Sequence, residues 1–496
     1  MGEAALEALT IIFSGDRFLW IVLGVFIGLF MGIIPGLGGM VGMSLLLPFV
    51  FGMDPYSGIA LLIGMMAVVQ TGDTFPAVLL GIPGTVGSQA TIMDGYPLAR
   101  QGQAGRALGA AFLASMIGGL FGALILFAAL PVARPLVLAL RSPELFMLTI
   151  LGLTLVGVLS RGAPVRGVAT GFVGLLLSAI GIAPAATDSR FTFDTFYLMG
   201  GLSLVIIALG LFAIPEIIEL VVEDKAIAKN RAGKLGSGIL AGMRDTLRHK
   251  RIVLQSAAVG PTLGMIPGVG GSIIDWFTYG LASQTSRKNN RFGHGDIRGV
   301  IAPESANNSK EGGQLIPTLL FGIPGGGTTA ILLGGLVLLG VQPGPRMVEE
   351  QNLPILLVVV WTLAIANVMG TALCIALSRP ISAFTLLPSR AFAPFLFAVV
   401  LFASFQANRQ WGDIVLVLAI GLVAYIMKIL RWPRVPMLIG FVLGPASERY
   451  LTISVNRYGM SWLMDPMVIG IGVLAIVSVA FAVYTSRNSV EEAVIY

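Results

Sequence analysis

Two short motifs occur twice in this chain, and their spacing limits what it can fold into. Gly28, Gly32, Pro35, Gly36, Gly38 and Gly39 (GLFMGIIPGLGG) return 232 positions later as Gly260, Gly264, Pro267, Gly268, Gly270 and Gly271 (GPTLGMIPGVGG). A second motif, TGDTFPAVLLGIPG with Thr71, Gly72, Asp73, Pro76 and Gly81 to Gly84, returns 241 positions on as Gly312, Gly313, Gln314, Pro317 and Gly322 to Gly325 (GGQLIPTLLFGIPG). Proline removes a backbone donor and stops an incoming helix, whereas glycine accepts the turn conformations that follow. Each half is therefore expected to carry two helix-breaking loops inside apolar sequence, a pattern that points to a solute site built from repeated halves.

Composition places these loops in a membrane. Hydrophobic residues make up 56% of the chain and charged ones 11%, with a mean hydropathy of +0.89; soluble domains carry about 25% charge. The expected fold is all-α, a polytopic integral membrane protein with two homologous, inverted repeats containing re-entrant hairpins or broken helices. Cys374 is the one cysteine, so no internal disulfide forms, and its apolar surroundings predict a packing role. The start of the chain is acidic and lacks a basic n-region and a small-residue cleavage pattern, so no cleaved signal peptide is expected. The net charge of +6 resides in short loops, which fits cytoplasmic loop bias and the lipid bilayer rather than nucleic acid.

Apolar runs bounded by turn residues divide the chain into a first membrane repeat over 1–214, a basic cytoplasmic linker over 215–251 and a second membrane repeat over 252–496. The linker holds eight Lys or Arg against five Asp or Glu. In the second repeat the runs are Ile252 to Ile266, Ser272 to Ala282 and Leu315 to Ile323, followed by longer ones. As a helix, Ile252 to Ile266 covers about 22 Å of a hydrocarbon core roughly 30 Å thick, so it reads as one arm of a hairpin. Arg248, Lys250 and Arg251 before that arm, and Arg287, Lys288 and Arg291 after the next, predict cytoplasmic ends. Asp16, Arg17 and Asp54 flank the matching first-half unit, with Glu3 and Glu7 beyond, and predict entry from the opposite face.

Broken helices survive at membrane depth only where protein or a water-filled cavity satisfies their backbone. Each break exposes N–H groups that attract an anion and carbonyls that suit a cation such as sodium. Gly36 and Gly38 at one tip, Gly268 and Gly270 at the other, and Gly84, Gly325 and Gly326 after the GIPG turns are thus candidates to hold substrate. Thr85, Ser88 and Thr328 add hydroxyls, with helix capping as the competing role. Gly28 and Gly32, spaced GxxxG, are expected to pack helices instead. Asn307 and Asn308 break the repeat, because the same offset lands on Met66 and Ala67. They either bind a carboxylate, offer carbonyl oxygens to sodium, or cap the helix entering Gly312. Asp73 and Asp275, ionisable groups in apolar sequence, are coupling-ion candidates with Thr71 and Thr329; Asp275 has an Arg partner as its alternative. Glu304 is expected to cap or pair near the interface. His249 and His294, in polar stretches, are expected to be solvated.

The ordered motifs PGLGG, GIPGT, DGYPLARQGQAGRALG (Asp94 to Gly109), PGVGG, APESANN (Ala302 to Asn308), GIPGGGTTAILLGG and QPGP (Gln342 to Pro345) resemble the large membrane subunit of the tripartite tricarboxylate transporters, the TctA family. The resemblance runs from about Gly24 to Pro345. It implies a multi-pass subunit in the bacterial inner (cell) membrane, a small four-helix membrane partner, a periplasmic solute-binding protein, and import of small carboxylates driven by an ion gradient, sodium or proton; with substrate held between the Pro-Gly tips, the expected motion is alternating access, elevator-like in form. No cofactor is implied. TGDTFP departs from the Tyr-Gly-Gly type of sequence that many relatives carry there. An added carboxylate repels a trianion unless it binds a cation or a proton, which turns the expectation toward mono- or dicarboxylates.

Other classes fit less well. The sequence has no HExxH and no GxxxxGK[ST], and its literal GxGD match, Gly293 to Asp296, falls in a polar loop. An enzyme and an ATPase are therefore not expected, which leaves a stand-alone ion-coupled carrier or channel as the alternative.

Overall fold

The computed structural model describes residues 2–160, 164–183, 188–222, 238–286, 291–384 and 389–494. Helices make up nearly all of it. Among the described residues the sheet is limited to the antiparallel pair Gly181–Ile182 and Ser189–Arg190. Six described helices are long and apolar enough to cross a membrane, or seven if the bent pair Gly2–Phe13 and Arg17–Ile33 counts as one span. This is a multi-pass membrane protein.

The repeated motifs fold alike. Arg17–Ile33 ends where Ile34 turns extended ahead of Pro35, and Gly36 follows at φ +90°. Lys250–Gly264 ends just before Pro267, and Gly268 follows at φ +87°. The second motif repeats as closely: Gly81 (φ 67°, ψ 24°) and Gly322 (φ 69°, ψ 21°) each close a helix in the left-handed conformation, with N–H groups returned to Pro76 and Pro317. Gly36 donates its N–H to the Gly84 carbonyl at 3.3 Å, and Gly268 donates to Gly325 at 3.2 Å. In both halves the hairpin tip is thus tied to the GIPG turn.

Glycines set the helix spacing. A Cβ on Gly28 or Gly32 would lie 2.5 or 2.3 Å from the carbonyl oxygens of Met65 and Val69, and Gly260 and Gly264 press likewise on Ala306 and Lys310. Packing is therefore what Gly28 and Gly32 do, as their spacing predicts.

The two halves interlock. Ile297–Phe321 of the second half packs along Ala104–Ala139 of the first, where Gly118 and Gly122 meet the Ser305 and Ser309 carbonyls. Pro55–Gly72 of the first half packs on Leu353–Ala376 of the second. The outer helices exchange in the same way: Val435–Tyr458 joins Ser142–Val158 and Pro164–Ser178, while Leu204–Val222 joins Ala393–Asn408 and Trp411–Ile429.

Local expectations need correcting in two places. The second motif does not break the helix along its length, only at its GIPG end. Thr71 and Gly72 close the Pro55–Gly72 helix, and Asp73 continues in helical geometry (φ −71°, ψ −13°) into Thr74–Leu80. The run expected over Leu315 to Ile323 is the end of a single helix, Ile297–Phe321, whose residues from Gly299 to Leu320 are all buried. Its Glu304, Lys310 and Glu311 keep it out of the apolar class. Residues 223–237 of the expected linker, and Arg287 and Lys288 of the expected flank, lie outside the described residues. The described end of that segment, Ile239–Arg248, packs on the Ala104–Ala139 helix and is pinned by Arg106 and Asp245 at 2.6 Å.

Candidate functional site

Polar side chains of both halves meet beside Gly87. This residue follows the first GIPG turn in the short 3-10 helix Val86–Ser88. A Cβ placed on it would lie 2.9 Å from Asn307 Oδ1, 3.1 Å from Asp275 Oδ2 and 3.1 Å from Gln70 Oε1. Only glycine leaves this point open. Lys310, one turn beyond Asn307, donates its ammonium to Asn307 Oδ1 and lies 3.8 Å from Asp275 Oδ2. Because an ammonium can only donate, it fixes the Asn307 oxygen toward this point.

The same ammonium lies against the start of the Gly271–Thr285 helix, 2.6 Å from where a Cβ on Gly271 would stand. A helix start carries partial positive charge. A buried cation placed there adds to the attraction for an anion at the second hairpin tip, and the buried carboxylates of Asp275 and Glu311 oppose it. Lys310 is 3% exposed and Asp275 is fully buried. Neither oxygen of Asp275 has a hydrogen-bond partner among the described residues, nor do Asn307 Nδ2, Asn308 Oδ1, Asp73 Oδ1 and Glu311 Oε2. Buried polar groups are nearly always paired, so the open positions of Asp275 and Asn307 beside Lys310 make this cluster the candidate ligand site.

Asp73 lies at the neighbouring turn. Thr85 donates its hydroxyl to Asp73 Oδ2 and accepts the Gly87 N–H at 3.1 Å. Thr85 also touches the first hairpin tip, 3.4 Å from a Cβ on Gly38, and Thr328 stands 3.3 Å from a Cβ on the adjacent Gly39. Gly84 and Gly325 are packing positions, since Cβ atoms there would strike Asp73 and Gln314, the matching residues of the two halves.

Of the expected site residues the structure brings Asn307, Asp275, Asp73 and Thr85 together around Gly87, and the others have different surroundings. Asn307 faces the cluster. Asn308 turns away from it and donates to Thr71 Oγ1 at 2.9 Å and Asn367 Oδ1 at 2.7 Å. Both lie in mid-helix, so neither caps a helix entering Gly312. Asp275 pairs with Lys310 rather than with an Arg. Thr329 receives the Gly326 N–H at 2.9 Å as a helix cap, and the buried Ser88 donates to the Thr85 carbonyl. Gly268 packs on the backbone of Val156, Gly36 is exposed with Glu216 Oε2 3.9 Å from where its Cβ would stand, and a Cβ on Gly270 would meet nothing within 4 Å. Glu304 is not near an interface: it is fully buried and accepts hydroxyls from Thr91, Thr74 and Ser115.

Lys310 and Glu311 are absent from the sequence expectations. The signal was available, because their first-half counterparts at the 241-residue offset are Val69 and Gln70. A charge that replaces an apolar residue in an otherwise matching repeat is a functional hypothesis by default.

Residues 18–439 match the family described as "Tripartite tricarboxylate transporter TctA family". The chain belongs to that family. It is a transporter subunit and not an enzyme, and a tripartite assembly implies partner subunits. It is 31% identical over 441 residues to the "Uncharacterized 52.8 kDa protein in TAR-I ttuC' 3'region" of Agrobacterium vitis, covering 87% of this chain and 86% of that protein. It is 32% identical over 199 residues to the "Uncharacterized protein in TAR-II ttuC' 3'region" of the same organism, covering 39% of this chain and 79% of that protein. No solved structure matches. In this TctA-family chain the converging Gly87 cluster, rather than one loop, is the candidate site.

Proposed function

We propose that this TctA-family chain is the transport subunit of a binding-protein-dependent importer of small carboxylates, driven by a sodium or proton gradient. The observation that carries the reading is the buried Lys310 ammonium at the start of the Gly271–Thr285 helix. A carboxylate there gains a full charge and the positive end of a helix dipole in a site with little water.

Two acidic groups, Asp73 and Asp275, stand beside that position and disfavour a trianion entering without compensating cations. The substrate class is therefore mono- or dicarboxylate, moved with a coupling cation held by these carboxylates and by the Thr85 hydroxyl. Transport proceeds by alternating access, in which the paired tips move together with the helices that carry them. The partners are a small four-helix membrane subunit and a periplasmic solute-binding protein, and the location is the bacterial inner membrane.

The test is uptake into proteoliposomes that hold this chain, its small partner and a loaded binding protein. Uptake should require an ion gradient and should fall on the order of tenfold in Asn307→Ala, the loss of about 1.4 kcal/mol of binding. Equal uptake with no gradient refutes coupling. Full uptake without either partner replaces this reading with a stand-alone carrier.

A further inference from the structure

Thr85 has one hydroxyl hydrogen and two acceptors beside it. Its Oγ1 is hydrogen-bonded with Asp73 Oδ2 and lies 3.2 Å from Gln70 Oε1, while the Gly87 N–H donates to it at 3.1 Å. Gln70 in turn hydrogen-bonds Glu311. Carboxyls from the two halves are thus joined through one hydroxyl and one amide, in the order Asp73, Thr85, Gln70, Glu311. An amide offers a carbonyl at one end and N–H groups at the other, and the available hydrogens decide which end faces which neighbour. When Gln70 turns its oxygen to Thr85, the hydroxyl donates to that oxygen, and Asp73 needs a proton of its own to meet Thr85. When Gln70 turns its nitrogen to Thr85, the hydroxyl donates to Asp73, and Glu311 needs the proton to meet the Gln70 carbonyl. With both carboxyls ionised, either arrangement leaves two acceptors face to face.

The local charge balance points the same way. Asp73, Asp275, Glu304 and Glu311 are all buried, and among the described residues Lys310 is the one buried cation facing them. It offsets one carboxylate, and Glu304 is served by its three hydroxyl donors. Further buried negative charge without a partner is strongly unfavourable.

We propose that Asp73 and Glu311 share one proton across this chain of side chains, and that this proton is the ion whose gradient drives uptake. The inference rests on the carboxylate-import reading and names its coupling ion. Each half supplies one seat: Gln70 and Asp73 match Glu311 and Gln314 at the 241-residue offset, so acid and amide are exchanged between the halves. Thr85 lies against the first hairpin tip at Gly38, and Lys310, the neighbour of Glu311, lies against the second at Gly271. As the tips open in turn, a proton is taken from water at one carboxyl and given up to water at the other. One O–H bond forms, one breaks, and the hydroxyl and amide turn over. A substrate carboxylate at the start of the Gly271–Thr285 helix competes for the Lys310 ammonium, which weakens its hold on ionised Glu311 and favours the proton there. The coupling is reciprocal by thermodynamic necessity.

The first measurement is the infrared carbonyl absorption of protonated carboxyls in the purified full-length chain in lipid nanodiscs, recognised by its shift in heavy water. Asp73→Asn and Glu311→Gln each supply an amide in place of the shared proton, so each should remove one such signal, and the double variant should remove no more than one. No signal lost in either single variant, or two lost in the double, would overturn the proposal. The second measurement is uptake in proteoliposomes holding the chain with its partners. A proton gradient without a sodium gradient should drive the wild type, and each single variant should lose about tenfold of that uptake. Thr85→Val keeps both carboxyls and breaks the chain, and the same loss there covers the case in which an amide variant fails to fold. Proton-driven uptake retained in Thr85→Val, or wild-type uptake driven by sodium alone, removes the shared proton while leaving carboxylate import standing. Absence of carboxylate uptake by the assembled wild type under either gradient rejects the transport reading itself.

Discussion

The Ser115 hydroxyl donates to the Glu304 carboxylate at 2.8 Å, joining residues 189 positions apart. Thr91 donates to the other carboxylate oxygen at 2.8 Å, and Thr74 to the first at 3.1 Å. All three hydroxyls belong to the first half and the acid to the second, so one buried side chain ties three helices across the repeat boundary. Glu304→Ala should cost about 2 to 4 kcal/mol, since it strands three donors and opens a cavity. Equilibrium unfolding in mixed micelles measures this. A change smaller than about 0.5 kcal/mol would mean that the helices hold together without the acid.

Gly32 and Gly264 occupy matching turns but approach their partners differently. A Cβ lies 2.3 Å from the Val69 carbonyl oxygen at Gly32, and 2.8 Å from the Lys310 carbonyl oxygen at Gly264. Backbone gives way less readily than a flexible side chain, so both alanine variants should destabilise, Gly32→Ala by about 2 to 3 kcal/mol and Gly264→Ala by about 1 kcal/mol. Melting both variants in one detergent checks the order, which is the more demanding part of the prediction.

The repeat was legible because proline and glycine punctuate a chain locally: Gly36 with Gly268, and Gly81 with Gly322, adopt in the structure the matching turns that their motifs announce. What escaped was the helix Ile297–Phe321. Its SANNSKEGG stretch has the polarity of a loop, yet it is buried because its partners arrive from distant sequence. Thr71 and Asn367 reach Asn308, and Thr74, Thr91 and Ser115 reach Glu304. No local pattern predicts such satisfaction. The half-to-half offset does better, since it marks Asn307 and Lys310 as the places where polar groups replace Met66 and Val69, and Glu311 as a charge in place of the neutral Gln70.

His249 joins Ile239–Arg248 to Lys250–Gly264, and Asp245, Asp296, Arg298 and Arg106 face it. Burial, and then the charge of Arg298, hold its pKa below the ordinary 6.5, against the pull of the two aspartates. The unfolded chain therefore takes up the proton first as pH falls. The stability that this group contributes is present above about pH 6.5 and is lost as pH drops toward the folded value. His249→Asn should accordingly reduce the difference in unfolding midpoint between about pH 7.5 and about pH 5.5. An unchanged difference would assign the acid sensitivity to other groups.

Asp73 also separates the two halves, because the position matching it is the neutral Gln314. Its Oδ2 takes the Thr85 hydroxyl, while its Oδ1 has no partner among the described residues. Asp73→Asn keeps the size and an acceptor for Thr85 and removes only the charge. Were Asp73 merely structural, that change would leave transport intact and could raise stability, since a buried charge is lost. If Asp73 carries the coupling cation, uptake should fall on the order of tenfold, equivalent to about 1.4 kcal/mol of ion binding, with the unfolding midpoint unchanged or higher. The informative measurement is the ion dependence of uptake in the variant beside its melting curve. Wild-type ion dependence in Asp73→Asn would remove the residue from the coupling site, whereas lost dependence in a chain that melts normally separates its chemistry from its packing.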